Sequence, residues 1–269
     1  METSYVDRGP GRIAYDVQGD GPLVVCLPGM GDLRSVFRFT VPALLDAGYR
    51  VATMDLRGHG ESDDGFDAYD DVALAGDALA LIDHLGGGRA VLLGSSMGAA
   101  ASVLVAAEHP DRVAGIALLG PFVRNPKQTT IGKLSTALML RKPWGAAAWK
   151  TYYKNFYPGQ PPADLDVHRD RIKASLDSGD HWRSFVRTLH TDHTPAERML
   201  DRVTAPALVV MGEKDPDWPD PAAEARFAVE RLNAELLLLP DTGHYPMAQR
   251  PEAVNPALKE FLEKSFARA

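Results

Sequence analysis

Val91-Leu92-Leu93-Gly94-Ser95-Ser96-Met97-Gly98 decides how this chain is read. A short apolar run with the pattern of a buried strand ends in Gly-x-Ser-x-Gly. An Ala-rich helical run, Ala99 to Ala107, follows at once. Strand, sharp turn and helix in that order hold a serine with its Oγ exposed at the strand end. The backbone is crowded at such a turn. Side chains at positions 94 and 98 would collide with it, and both are glycine. Ser96 is therefore the candidate nucleophile. The same pentapeptide also suits an ordinary Gly/Ser-rich loop between a strand and a helix, so the decision rests on what the rest of the chain supplies.

Outward from this segment, apolar runs alternate with helical patterns. Leu23–Leu27, Val51–Met54, Ala90–Leu93, Ile116–Leu119, Ala207–Met211 and Leu236–Leu239 are short, mostly rich in Val, Ile or Leu, and bounded by Gly, Pro or Asp. That is the pattern of strands buried on both faces. Between them, Asp70 can cap a helix whose apolar face is Leu74, Ala78, Leu81, Ile82 and Leu85, and Gly86-Gly87-Gly88 ends it. Val254, Leu258, Phe261, Leu262 and Phe266 repeat the helical spacing near the C-terminus. Such alternation predicts an α/β chain on a doubly wound, mostly parallel sheet. A strand near Arg12–Val17, joined through Gly19-Asp20-Gly21, is expected as an antiparallel addition.

The alternation stops after Pro121. Residues 123–194 hold no strand-like run but many aromatics, among them Trp144, Trp149, Tyr153, Phe156 and Trp182. We read this stretch as a helical cap inserted into a core formed by residues 1–122 and 195–269. Trp149, Tyr153 and Phe156 share a helical face. That face packs on the body as core, and part of the set, with Trp144, Trp149, Tyr153 and Trp182 as candidates, is expected to line a substrate cavity beneath the cap.

Composition bounds the function. The chain has 269 residues, 45% hydrophobic and 24% charged, with a net charge of −7. That size supports one large α/β core plus an insertion. The acidic balance disfavours nucleic acid and anionic membranes, both of which reward clustered Lys and Arg. No run approaches the roughly 18 apolar residues of a membrane span. The N-terminus lacks the apolar stretch of a secretory signal. The single cysteine, Cys26, lies inside an apolar run and reads as a small buried hydrophobe. A soluble cytoplasmic protein acting on a small molecule is the expectation.

A serine hydroxyl needs a base, and the base needs an orienting acid. Behind a Gly-x-Ser-x-Gly elbow the expected chain order is Ser, Asp or Glu, then His. Of eight histidines only His244 follows the last expected strand, in Leu239-Pro240-Asp241-Thr242-Gly243-His244. His59 precedes the serine and is expected to order a loop. His84 and His109 fall at helix C-termini. His168, His181, His190 and His193 are expected at the surface or on a pocket wall. For the acid, Gly212-Glu213-Lys214-Asp215-Pro216-Asp217 offers Asp215, with Asp217 in reserve. Backbone N–H groups must also meet the developing oxyanion. Met97, just after the serine, and Met30, in Pro28-Gly29-Met30-Gly31, are the candidate donors.

With these residues in place, the chain resembles the α/β-hydrolase fold superfamily, in its serine-nucleophile branch with a helical cap. The resemblance rests on Leu27-Pro28-Gly29-Met30-Gly31, Asp55-Leu56-Arg57-Gly58-His59-Gly60-Glu61-Ser62, Gly94-Ser95-Ser96-Met97-Gly98, Gly212-Glu213-Lys214-Asp215 and Gly243-His244. It implies Ser96 as nucleophile, His244 as base, Asp215 as orienter and the Met30 and Met97 amides as oxyanion hole. Many such chains carry His-Gly where this one has Pro28-Gly29, and proline removes one N–H. Within the branch, ester hydrolysis leads. Carbon–carbon bond hydrolysis or peracid formation on the same residues, and a ligand receptor of the same fold, are the alternatives.

No cofactor or metal is expected. Gly29-x-Gly31-x-x-Arg34 lacks the third glycine of a dinucleotide fingerprint. Asp63, Asp64, Asp67, Asp70 and Asp71 lack the alternation and terminal Glu of a calcium loop. Ile131-Gly132-Lys133-Leu134 has no glycine in the position a phosphate loop needs.

Overall fold

In a computed structural model, the structure describes residues 3–126, 141 and 143–268; Ile131-Gly132-Lys133-Leu134 lies outside them. Eight strands form one sheet: β1 (Ser4–Asp7), β2 (Arg12–Gln18), β3 (Leu23–Leu27), β4 (Arg50–Met54), β5 (Ala90–Ser95), β6 (Val113–Leu119), β7 (Ala207–Gly212) and β8 (Glu235–Leu239). Their spatial order is β1-β2-β4-β3-β5-β6-β7-β8. The pairs β1/β2 and β2/β4 are antiparallel, and the rest run parallel. The mostly parallel sheet is thus as expected, and the strand over Arg12–Gln18 is the anticipated antiparallel addition. β1 is a strand that the pattern did not announce. Its four residues are too few to show a period, and it exists as the partner of β2.

Both faces of the sheet are buried. In β3, Val25 and Leu27 belong to one apolar cluster and Val24 and Cys26 to the other. The first cluster joins the sheet to α2 (Asp71–His84), α3 (Met97–Glu108) and α8 (Pro221–Leu232). Asp70 caps α2 as its sequence position suggests, accepting the Ala73 N–H at 2.9 Å. The second cluster includes Val254, Leu258, Phe261 and Leu262 of α10 (Pro251–Ala267) and Leu44 of α1 (Thr40–Asp46).

Between β6 and β7 the described residues form helices and no strand. They are α4 (Gly145–Tyr153), α5 (Leu165–Leu176), α6 (His181–Thr188) and α7 (Thr194–Met199), with α9 (Pro246–Gln249) following β8. The aromatics of α4 do not stand apart from the body. Trp149 and Tyr153, with Phe156 from the 3-10 turn that follows α4, join the second cluster, and Tyr153 is wholly buried.

The connectivity positions the site. From β3 the chain pairs outward to β4 on one side and to β5 on the other. Loops at the carboxyl ends of β3 and β5 therefore flank the crevice where strand order reverses, the usual ligand position in an open α/β sheet. Met30 follows β3, and Ser96 follows β5.

Candidate active site

Ser96 sits between β5 and α3 with φ 53° and ψ −118°. A non-glycine residue at positive φ is strained, at a cost of order 1–3 kcal/mol. Three backbone bonds hold it there: Ser96 N–H donates to Leu119 O at 3.0 Å, and Ser96 O accepts Ala99 N–H at 3.0 Å and Phe122 N–H at 3.2 Å. The elbow glycines do the steric work their spacing implied. A Cβ on Gly94 would run into the Gly98 carbonyl, and one on Gly98 into the Leu27 carbonyl. The turn after β3 presses on the serine itself: a Cβ on Gly29 would lie 2.7 Å from Ser96 Cβ and 3.2 Å from its Oγ.

His244 and Asp215 are joined directly. Imidazole Nδ1 donates to Asp215 Oδ2 at 2.7 Å, and both side chains are buried. Asp215 Oδ1 accepts the Asp217 N–H at 3.0 Å, and Asp217 Oδ2 lies 3.7 Å from His244 Nδ1. Of the two acids, Asp215 makes the hydrogen bond. Burial opposes the charged imidazolium, but Asp215 and then Asp217 outweigh it and raise the His244 pKa above its ordinary 6.5. Burial likewise pushes the Asp217 carboxyl above its ordinary range, with His244 opposing.

The His244 backbone N–H donates to Phe156 O at 3.0 Å, and its ring packs 5.1 Å from Phe156 and 5.6 Å from Phe122. Phe122 thus touches both halves of the set: its N–H bonds Ser96 O and its ring meets the His244 ring. Phe122 is therefore a neighbour that Ser96 and His244 share. Among the described residues Ser96 Oγ makes no hydrogen bond. Nucleophile–base contacts are often loose without substrate and tighten in the reacting complex.

The two candidate oxyanion donors flank the serine. Met97 opens α3, so its N–H has no acceptor within the helix. Met30 N–H donates to no protein group among the described residues. Pro28 leaves this amide in place. Asp32 N–H closes the Gly29–Asp32 turn on Gly29 O at 3.3 Å, with Gly31 at φ 68°. Glycine is favoured at that position of a type II turn.

The aromatics named from sequence separate. Trp144 is 48% exposed and Trp182 is 7% exposed, packed on Phe185. Trp149 Nε1–H donates to Gly31 O at 2.9 Å, and Tyr153 OH donates to Asp32 Oδ2 at 2.6 Å. Both spend their polar atom on the turn after β3. Of the histidines expected at the surface or on a pocket wall, His168, His181 and His193 are buried rather than at the surface. Two of them lie against a carboxylate, His168 on Asp32 at 2.8 Å and His193 on Asp71 at 2.7 Å. His59 does order a loop: its Nδ1–H donates to Arg57 O at 2.9 Å and its Nε2 accepts the Gly31 N–H at 3.1 Å. Burial pushes its pKa down to about 4, so the ring is neutral and free to accept. Asp32 went unnoticed at the sequence level, although a carboxylate beside a Gly-rich turn and followed by Leu33 was the available signal.

Asp215, Asp217 and His244 form the one group among the described residues whose ligand atoms lie close enough for a metal, within 4.8 Å of one another. The direct 2.7 Å bond between His244 and Asp215 leaves no room for an ion between them. Two ligands on one zinc-like ion, each about 2.1 Å from it, stand roughly 3.4 Å apart.

Comparison with known proteins fixes the class. The family model for the alpha/beta hydrolase family matches residues 24–257. The chain belongs to that family and is an enzyme of its kind. It is 31% identical, over 93% of its length, to the dihydrolipoyllysine-residue acetyltransferase component of an acetoin cleaving system from Pseudomonas putida, and spans 66% of that relative. It is 29% identical to a 2-hydroxy-6-oxononadienedioate/2-hydroxy-6-oxononatrienedioate hydrolase of Burkholderia vietnamiensis, covering 94% of this chain and 91% of that one. Among solved structures, the enol-lactonase of Burkholderia xenovorans superposes with a TM-score of 0.80 at 26% identity, covering 97% of this chain and 100% of that one.

Among the described residues no helix is long and apolar enough to cross a membrane.

Proposed function

We propose that the chain is a serine hydrolase of carboxylic esters, with Ser96 as nucleophile, His244 as general base and Asp215 as its orienting acid. Ser96 Oγ attacks the ester carbonyl carbon while its proton passes to His244 Nε2. The oxyanion so formed is met by the N–H groups of Met30 and Met97. Collapse of the tetrahedral species expels the alcohol, which takes the proton from His244 and leaves an acyl-serine. Water then attacks that ester, His244 again accepts a proton, and Ser96 is restored as the acid departs.

The observation that carries the reading is the strained serine facing Gly29 across the β3–β5 crevice, with a carboxylate-held imidazole one residue contact away through Phe122. Similarity to an enol-lactonase supports ester chemistry, since a lactone is a cyclic ester. Similarity to a hydrolase of 2-hydroxy-6-oxononadienedioate supports a second reading, cleavage of a carbon–carbon bond in an oxo acid by the same residues.

A panel of p-nitrophenyl esters of increasing acyl length, run on the wild type, Ser96→Ala and His244→Ala, tests the proposal. Both variants are expected to lose roughly 10⁴-fold or more in kcat/KM. Undiminished turnover by Ser96→Ala ends the ester reading. Absence of ester turnover in the wild type, with activity on a vinylogous 1,5-diketone, moves the assignment to carbon–carbon cleavage.

A further inference from the structure

The turn that carries Met30 is held by side chains that the proposed reaction leaves unused, and most of them come from the helices between β6 and β7. Asp32 is wholly buried. Its Oδ2 accepts from Tyr153 OH of α4 at 2.6 Å, and its Oδ1 from His168 Nε2 of α5 at 2.8 Å and from its neighbour Leu33 N–H at 2.7 Å. One residue earlier, Gly31 is gripped at both ends. Its N–H goes to His59 Nε2 at 3.1 Å, and its carbonyl receives Trp149 Nε1–H of α4 at 2.9 Å.

These contacts reach the Met30 amide through covalent geometry. Gly29 C=O and Met30 N–H belong to one planar trans peptide and point in opposite directions. Asp32 N–H holds that carbonyl at 3.3 Å. Whatever fixes Asp32 therefore fixes the aim of the Met30 N–H. A buried carboxylate without donors is expensive, so Asp32 stays where Tyr153 and His168 hold it.

We propose that Trp149 and Tyr153 are positioning residues for the oxyanion hole, and that seating of α4 and α5 on the turn after β3 and alignment of the Met30 donor are one event. This rests on the ester-hydrolase reading and gives the inserted helices a part in the chemical step. Their polar atoms act on the turn and touch no reacting group.

The test uses Trp149→Phe and Tyr153→Phe, each of which removes one donor and keeps an aromatic ring. Val167→Ala, at a 54% exposed position of α5, is the control. Two readouts are taken on p-nitrophenyl ester: the split between kcat and KM, and inhibition by a phenylboronic acid. Ser96 Oγ adds to the boron of that inhibitor and passes its proton to His244, and the resulting tetrahedral anion needs the oxyanion donors that the substrate ground state does not. Each Phe variant is expected to lose roughly 10–100-fold in kcat, to keep KM within about threefold, and to bind the boronate more weakly by a factor similar to the kcat loss. Val167→Ala is expected to match the wild type.

Wild-type kcat and boronate affinity in both Phe variants, with Ser96→Ala inactive, would overturn the positioning role and leave the hydrolase reading standing. A KM rise with kcat intact would also overturn it, by making the two aromatics substrate contacts. Full turnover by Ser96→Ala would remove both proposals together.

Discussion

Asp217 Oδ2 stands 3.7 Å from His244 Nδ1, one ångström beyond the hydrogen bond that Asp215 makes to the same atom. The imidazole therefore faces two carboxylates, and both favour its charged form. A general base must be neutral to accept a proton, so activity rises with pH through the His244 pKa. A raised pKa moves that acid limb above the ordinary histidine value. Asp217→Asn removes one of the charges and is expected to shift the limb of kcat/KM to lower pH with little loss at the plateau. Asp215→Asn removes the hydrogen bond as well and is expected to cost on the order of 10³–10⁴-fold in kcat. A pH profile for Asp217→Asn that does not move, or moves upward, contradicts this division of roles.

The strain at Ser96 gives a prediction of the opposite sign for stability. Its φ of 53° is one that glycine adopts freely. Ser96→Gly is expected to abolish turnover yet stabilise the fold by about 1 kcal/mol, raising Tm by roughly 2–4 °C. Calorimetry on the two proteins at one pH decides it; a lower Tm would show that the elbow carries no stored strain.

Gly29→Ala tests how close the turn after β3 lies to the serine. The added methyl would come within 2.7 Å of Ser96 Cβ and 3.2 Å of Oγ. The turn must then move away and take the Met30 amide with it. A loss of about 10²-fold or more in kcat is expected, since removing one oxyanion donor costs that much. An Ala variant with wild-type kcat would mean that the turn relaxes without moving its donor, and would count against Met30.

His59 makes folding pH-dependent. Its pKa is about 4 in the folded chain against 6.5 when exposed, because burial excludes its charge. Between those values the unfolded chain binds a proton that the folded chain refuses. Stability is therefore present above pH 6.5 and lost as the pH falls toward 4, by about 3 kcal/mol in all. His59→Gln, which cannot protonate, is expected to show a shallower fall in urea stability over that range. An unchanged slope would indicate that His59 already titrates in the folded state.

Much of the frame was legible because it is written in local patterns. Apolar runs such as Leu23–Leu27 and Ala207–Met211 sit where β3 and β7 form, and the spacing from Leu74 to Ile82 buries one face of α2. Gly-x-Ser-x-Gly marks the elbow because only glycine fits where strand and helix backbones cross. What the chain did not announce depends on pairing across distance. Tyr153 and Asp32 are 121 residues apart, and nothing in either neighbourhood names the other. Trp149 read as a cavity aromatic because sequence shows its ring but not the carbonyl that its N–H meets. The loop after β7 named Asp215 ahead of Asp217, but that Asp215 makes the 2.7 Å bond to His244 while Asp217 stays 3.7 Å away is set by the folded path of the loop. β1 was missed because a short edge strand takes its identity from the partner it pairs with.

The most direct test of Ser96 as the acylated nucleophile is the mass of the enzyme during turnover. Wild type and Ser96→Ala are mixed with p-nitrophenyl acetate, quenched in acid within the first turnovers, digested and examined by mass spectrometry. The expected result is one acetyl group on the wild-type peptide that contains Ser96 and none on the Ser96→Ala peptide, with release of p-nitrophenol lost in the variant. Steady release of p-nitrophenol by Ser96→Ala, or acetyl carried by another residue in the wild type, would contradict it.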